Sequence, residues 1–65
     1  MRIKVLDKEY GHELLELDVQ PGIIRIDGVL IKKDYSYYDN DIKVVEIHDN
    51  FITYLNNDYQ IMMEV

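Results

Sequence analysis

LELDVQPGIIRIDG, residues 15 to 28, is the stretch on which the fold turns. Leu15, Leu17 and Val19 alternate with Glu16, Asp18 and Gln20; beyond Pro21-Gly22, Ile24 and Ile26 alternate with Arg25 and Asp27. A period of two places the apolar residues of each run on one face and the polar ones on the other, as in a half-buried strand. Between the runs, proline supplies the fixed φ and glycine the positive φ that the two central positions of a type II turn require. Asp27-Gly28 then offers a second pair tolerant of left-handed backbone, as a two-residue hairpin demands. Two reversals so close together leave room only for short antiparallel strands.

The same period extends outward in both directions. Ile3 and Val5 alternate with Arg2 and Lys4, while Tyr59, Ile61, Met63 and Val65 oppose Asp58, Gln60, Met62 and Glu64, which predicts a half-buried strand at the C-terminal end. Asp49-Asn50 and Asn56-Asn57 read as further two-residue turns. HELLEL, residues 12 to 17, fits a short helix through Leu14 and Leu17, but Val19 and the Pro-Gly that follows favour a strand. In IKVVEI the adjacent Val44 and Val45 interrupt the alternation and predict a bulge or a strand buried on both faces. Val29, Ile31, Lys33, Tyr35 and Tyr37 share a parity, so VLIKKDYSYY reads as one long strand leading to a tip at Tyr38 to Asp41. The expected fold is all-β: a single small domain over residues 1–65, an antiparallel meander of five to seven short strands in an SH3-like or barrel-like arrangement. The alternative is an open sheet that pairs with a second copy, burying Ile52, Tyr54 and Met62 on the face opposite Phe51, Leu55 and Ile61.

Composition narrows the function classes. A chain of 65 residues buries only about 60% of the surface that its unfolded form exposes. It has no cysteine, so neither disulfides nor thiolate zinc sites are expected, and stability must come from packing or self-association. The same absence fits a reducing compartment, and MRIKVLDKEY lacks the apolar run of a signal peptide, so a cytoplasmic protein with no membrane span is expected. The net charge of −6 is unevenly placed. In residues 1–33 six cations balance six carboxylates, whereas in residues 34–65 Lys43 alone faces seven carboxylates. Such a surface repels a phosphate backbone, so direct nucleic-acid binding is not expected; it attracts a basic protein surface.

Catalytic chemistry finds little to work with. Ser36 is the only serine and Thr53 the only threonine, neither in a nucleophile context. His12 and His48 each precede a carboxylate, but neighbours along a strand point to opposite faces, so no base and orienting partner are expected from either pair. An EF-hand loop beginning at Asp34 would meet Tyr38 and Asp39 at its fifth and sixth positions, and one beginning at Asp39 would meet Lys43 and Val44, so neither register fits. Gly11, Gly22 and Gly28 are too dispersed to cradle a phosphate. No enzyme activity, metal or cofactor is expected.

What remains is DYSYYDND, residues 34 to 41. Tyrosine offers a large apolar face and a hydroxyl for two torsions' worth of entropy, and it is enriched at binding hot spots. Carboxylates around it add long-range attraction for a basic partner. Asp34, Tyr35, Tyr37, Tyr38, Asp39 and Asp41, extended by Glu46 and Asp49, are the expected partner-binding residues, although the tyrosines could equally continue the core stripe. The function expected is a non-enzymatic protein-interaction module that presents this acidic surface to a basic partner such as a nucleic-acid-binding protein. In size, charge and lack of catalytic residues the chain resembles phage-encoded and mobile-element inhibitors, including anti-CRISPR proteins and DNA mimics, in character rather than by any motif. That resemblance implies carboxylates standing where phosphates would. The alternative expectation is a structural or assembly module that homo-oligomerises through its tyrosines and apolar second face.

Overall fold

The computed structural model describes residues 1–64; Val65, expected to end the last apolar stripe, lies outside the described residues. Eight strands follow one another: β1 (Arg2–Leu6), β2 (Glu13–Gln20), β3 (Ile23–Ile26), β4 (Val29–Ile31), β5 (Tyr35–Asp39), β6 (Ile42–His48), β7 (Phe51–Leu55) and β8 (Gln60–Glu64). They form a five-stranded sheet in the order β4-β3-β2-β1-β8 and a three-stranded sheet in the order β5-β6-β7, with every pairing antiparallel. The fold is thus all-β, as expected, and within residues 12 to 17 the segment from Glu13 onward is strand rather than helix. Among the described residues no helix is long and apolar enough to cross a membrane.

The strand count exceeds the expected five to seven because VLIKKDYSYY is two strands in different sheets. Lys33 occupies the parity of Val29 and Ile31, and continuing the strand would drive its ammonium group toward the core, at a cost no partner offsets. The chain instead leaves the large sheet after Ile31, and exposed Lys32, Lys33 and Asp34 carry it to the small one.

The inner faces of the two sheets enclose a single core. Ile3, Val5, Leu15, Leu17, Ile24 and Ile26 come from the large sheet and Val44, Val45 and Ile47 from the small one, with Tyr59 from the connection between them. Turn chemistry sets the registers. Asp27 and Gly28 (φ 49° and 84°), Asn40 and Asp41 (48° and 68°), and Asp49 and Asn50 (50° and 65°) each carry two successive positive φ values, the signature of the hairpin turn whose twist matches that of its strands. The Asn56-Asn57 hairpin expected from sequence does not form, since β7 and β8 belong to different sheets.

Three bulges adjust the alternation. Tyr37 and Tyr38 pair with Val45 and Lys43, leaving Val44 as the extra residue, so both valines of the doublet are fully buried. Leu14 is skipped between the Val5–Leu15 and Leu6–Glu13 pairs. Thr53 is skipped between Glu46–Tyr54 and Ile47–Ile52. That last shift overturns the parity expected for β7: Ile52 and Leu55 both pack against the core, leaving Phe51 and Tyr54 exposed.

Asn56 makes the crossing from the small sheet to the large one possible. Beyond Leu55, β7 no longer reaches the carbonyls of Lys43 and Val44 at the β6 bulge, and Asn56 covers both. Its backbone N–H donates to Val44 O (2.8 Å) and its Nδ2 to Lys43 O (3.0 Å), while its Oδ1 accepts from the Asp58 N–H (2.9 Å). Its own carbonyl accepts from Tyr59 N–H (3.2 Å). The residue is 9% exposed, a buried polar side chain whose amide is engaged at both ends.

A second hub closes the β1–β2 connection. Asp7 Oδ1 accepts from the N–H groups of Glu9, Tyr10 and Gly11 (2.9, 2.5 and 3.2 Å), and Oδ2 accepts from that of His12 (2.8 Å). These donors, Tyr10 foremost, hold the carboxyl below its ordinary range against the opposing effect of desolvation.

Two outcomes test these hubs. Asn56→Ala keeps the backbone bond to Val44 O but leaves the Lys43 carbonyl and the Asp58 N–H without their partner, and should cost about 1–3 kcal/mol, a fall in Tm of roughly 5–20 °C for a domain of this size, whereas exposed Asn57→Ala should leave the calorimetric transition nearly unmoved. For Asp7 the folded pKa lies below the unfolded one, so its contribution is present above the unfolded value near 3.8 and is lost as pH falls through the folded value. Asp7→Asn should therefore be less stable than the parent at neutral pH and show a shallower loss of stability below pH of about 4, as followed by acid-dependent thermal unfolding.

Candidate docking face

The small sheet has one face on the core and one face open. With Val45 and Ile47 inward, Glu46 and His48 of β6 point outward, and the register ranks their neighbours across the face. Tyr38 lies beside Lys43, Glu46 lies between Ser36 and Tyr54, and His48 lies beside Phe51. Tyr38, Tyr54 and Phe51 are 53%, 43% and 67% exposed, three aromatic side chains on a surface of one small sheet.

Lys43 sits among them. Its Nζ forms an ion pair with Glu46 and lies 6.0 Å from the centre of the Tyr54 ring. The hydrogen bond to Glu46 chiefly raises the lysine pKa, against desolvation, with the charge of Glu46 and the neighbouring Tyr38 and Tyr54 adding to the rise. The one cation of residues 34–65 is therefore engaged on the face itself.

The expected site residues distribute around this face rather than forming one cluster. Tyr38 and Glu46 lie on it. Tyr35 and Tyr37 face the other way, half-buried against the core opposite Ile47 and Val45. Burial is the main reason that the Tyr37 phenol titrates high, followed by the charge of Asp39. Asp39 also faces inward, accepting a hydrogen bond from the Tyr59 hydroxyl at 3.0 Å. Asp41 stands in the turn at one end of the hairpin, and Asp34 and Asp49 stand at the other, separated by the seven residues of β6, roughly 20 Å.

At the Asp34 end a histidine clamp forms that sequence reasoning excluded. His48 Nδ1 lies 2.7 Å from Asp34 Oδ1, and its Nε2 lies 3.3 Å from Asp49 Oδ2. The rule that strand neighbours diverge fails here because Asp49 is already in the turn, with φ of 50°. Ligand atoms of the three residues lie within 4.8 Å of one another. A cation would have to displace the imidazole from both carboxylates, so the group reads as a clamp between the β4–β5 and β6–β7 connections. The other histidine, His12, pairs with Asp7 at 3.7 Å and not with Glu13.

Sequence reasoning missed Tyr54, Phe51, Lys43 and His48 as members of the face. FITYL carries the aromatic signal, but the bulge at Thr53 decides which of its residues point outward, and alternation alone assigns them wrongly.

Two other surfaces complete the picture. A cleft of about 340 Å³ opens where the sheets meet, lined by Asp7, Lys8, Tyr10, Leu14, Ile42 and Tyr59 among others. Of its carboxylates, Asp7 is engaged by four backbone N–H groups and Asp39 by Tyr59, and Lys8 Nζ lies 5.9 Å from the Tyr59 ring centre. On the outer face of the large sheet, Arg2 pairs with Glu16 (3.2 Å) and Glu64 (3.8 Å), and Lys4 with Glu64 (3.9 Å). Exposed pairs of this kind contribute little stability, but they neutralise cations that would otherwise form a basic stripe.

In comparisons with known proteins, no family model, no curated protein and no solved structure matches the chain.

The buried phenols give this region a measurable alkaline signature. Burial first, then the hydrogen bond to Asp39 and the charges around it, raise the Tyr59 pKa above its ordinary 10.0, and Tyr37 is raised in the same direction. A raised folded pKa means that the stabilisation is complete below pH 10 and is lost as pH rises through the folded values. Ultraviolet titration should show late-ionising tyrosines, and Tyr59→Phe should remove one of them and weaken the alkaline fall in stability.

Proposed function

We propose that the chain is a non-enzymatic protein-interaction module that docks a basic partner on the outer face of the β5-β6-β7 sheet. The observation that supports this reading most directly is the exposure of Tyr38, Tyr54 and Phe51 on the surface of one sheet in the acidic half of the chain. Aromatic anchors of this kind carry much of the energy of an interface, while surrounding charges chiefly set the association rate and the choice of partner. Glu46 lies between the anchors, Asp34 and Asp49 flank one end, and Asp41 flanks the other. Inward-facing Tyr35 and Tyr37 shape the face by filling the space beneath it.

In its more specific form the partner is a nucleic-acid-binding protein and the chain an inhibitor, of the kind that phages and mobile elements encode. Carboxylates at the two ends of the β5–β6 hairpin then stand where phosphates of a nucleic acid would. Pairing of Arg2 and Lys4 with Glu16 and Glu64 on the opposite sheet supports a protein partner over a nucleic acid.

The test is capture of a basic partner on the immobilised chain, followed by titration with the purified partner. Tyr38→Ala and Tyr54→Ala should each weaken binding by roughly tenfold or more without loss of fold, and association should slow as salt rises. Full affinity in the double variant would sink the proposal.

A further inference from the structure

The five-stranded sheet ends on β8, and this edge differs from the three others. β4 has only three residues and runs directly into Lys32 and Lys33. β5 lies between Asp34 and the Asn40-Asp41 turn and ends in Asp39. β7 is bulged at Thr53. Short length, flanking charge and bulges are the usual means by which a sheet edge discourages further pairing. β8 matches β5 and β7 in length and, like β5, ends in a carboxylate, but it pairs with β1 without a register shift, contains neither proline nor lysine, and its one charge, Glu64, is already paired with Arg2 and Lys4. Met62 and Met63 are 50% and 61% exposed.

We infer that β8 is a self-association edge, and that two copies of the chain pair β8 with β8 antiparallel about a two-fold axis at Met62. A two-fold axis perpendicular to a sheet makes its edge strands antiparallel, so the chain direction follows from the symmetry. The sequence of β8 suits that register. Met62 faces Met62 of the second copy, Ile61 faces Met63, and Gln60 faces Glu64, an amide donor opposite a carboxylate. Charge does not oppose the pairing, because each Glu64 is already held by Arg2 (3.8 Å) and Lys4 (3.9 Å) of its own sheet. Met63 shares a face with Ile3, its partner across the ladder, which is 3% exposed. The methionine lies at the open margin of that stripe, where a second copy would cover it. The result is one continuous sheet of twice five strands, with both small sheets on the same side and both docking faces still free.

Light scattering after size-exclusion chromatography, from micromolar to millimolar protein and at low and high salt, tests the inference together with two variants. The parent should be a dimer at both salts, with protection of the outward β8 amides from hydrogen exchange increasing as protein concentration rises. Met62→Lys and Met62→Glu each set like charges opposite one another and should weaken dimerisation roughly tenfold or more, with circular dichroism unchanged. An equimolar mixture of the two variants should restore the dimer, a rescue that loss of folding could not produce. A parent that stays monomeric throughout would overturn the inference and leave the edge to a strand from another protein. A parent dimer that survives Met62→Lys, or a mixture that fails to reassociate, would overturn it equally.

Discussion

The fold depends on how Asn56 covers the bulge in β6. Val44 and Val45 both enter the core only because the ladder between β5 and β6 skips a residue. At the bulge the Lys43 and Val44 carbonyls take their partners from Asn56, and leaving a buried carbonyl unpaired costs about 1–3 kcal/mol. Asn56 removes that cost with its backbone and its amide together, and its remaining groups bind Asp58 and Tyr59. The same residue thereby turns the chain out of the small sheet, places Tyr59 in the core and starts β8 on the far edge of the large sheet. Core packing, sheet crossing and the position of the last strand all pass through one residue.

With two sheets around one core, the chain has two outer faces of different character. On the large sheet, cations of β1 meet carboxylates of β2 and β8 in cross-strand pairs, so that face is close to neutral and offers little field to a distant partner. On the small sheet Lys43 is held by Glu46, and carboxylates are left at both ends of the β5–β6 hairpin. The excess negative charge of residues 34–65 is therefore mostly a property of one sheet and its turns. Aromatic rings are exposed on that same sheet, which is why the docking reading rests there and not on the large sheet. Self-pairing of β8 would occupy neither face, so the two proposed interactions are compatible in one molecule.

Much of the fold was legible in the order of residues because its causes are local. Alternation in residues 15 to 20 and 23 to 26 reflects which side chains must leave water, and Pro21-Gly22, Asp27-Gly28 and Asp49-Asn50 reflect backbone conformations that few other pairs adopt cheaply. The doublet Val44-Val45 announced its bulge for the same reason. Leu14-Leu15 is a second such doublet at a second bulge, and reading it in the same way would have removed the helix alternative for HELLEL. The site was less legible. Tyr38, Glu46, Asp34, Asp49 and Asp41 lie on or around one face, but Tyr35, Tyr37 and Asp39 turn inward, because a strand divides any run of consecutive residues between two faces.

By itself, then, the sequence determined an all-β chain, the position of most of its turns and the concentration of negative charge in its second half. Those follow from side-chain period, backbone preference and composition, which act over a few residues. Only the tertiary structure decided that VLIKK and YSYYD belong to different sheets, that Asn56 pivots rather than closing a hairpin, and that Thr53 sends Phe51 and Tyr54 outward. Each of these depends on what lies across the core or across a ladder: a lysine that finds no partner inside, a carbonyl that needs a donor, and a register that must skip one residue to keep Ile52 and Leu55 on the same buried side.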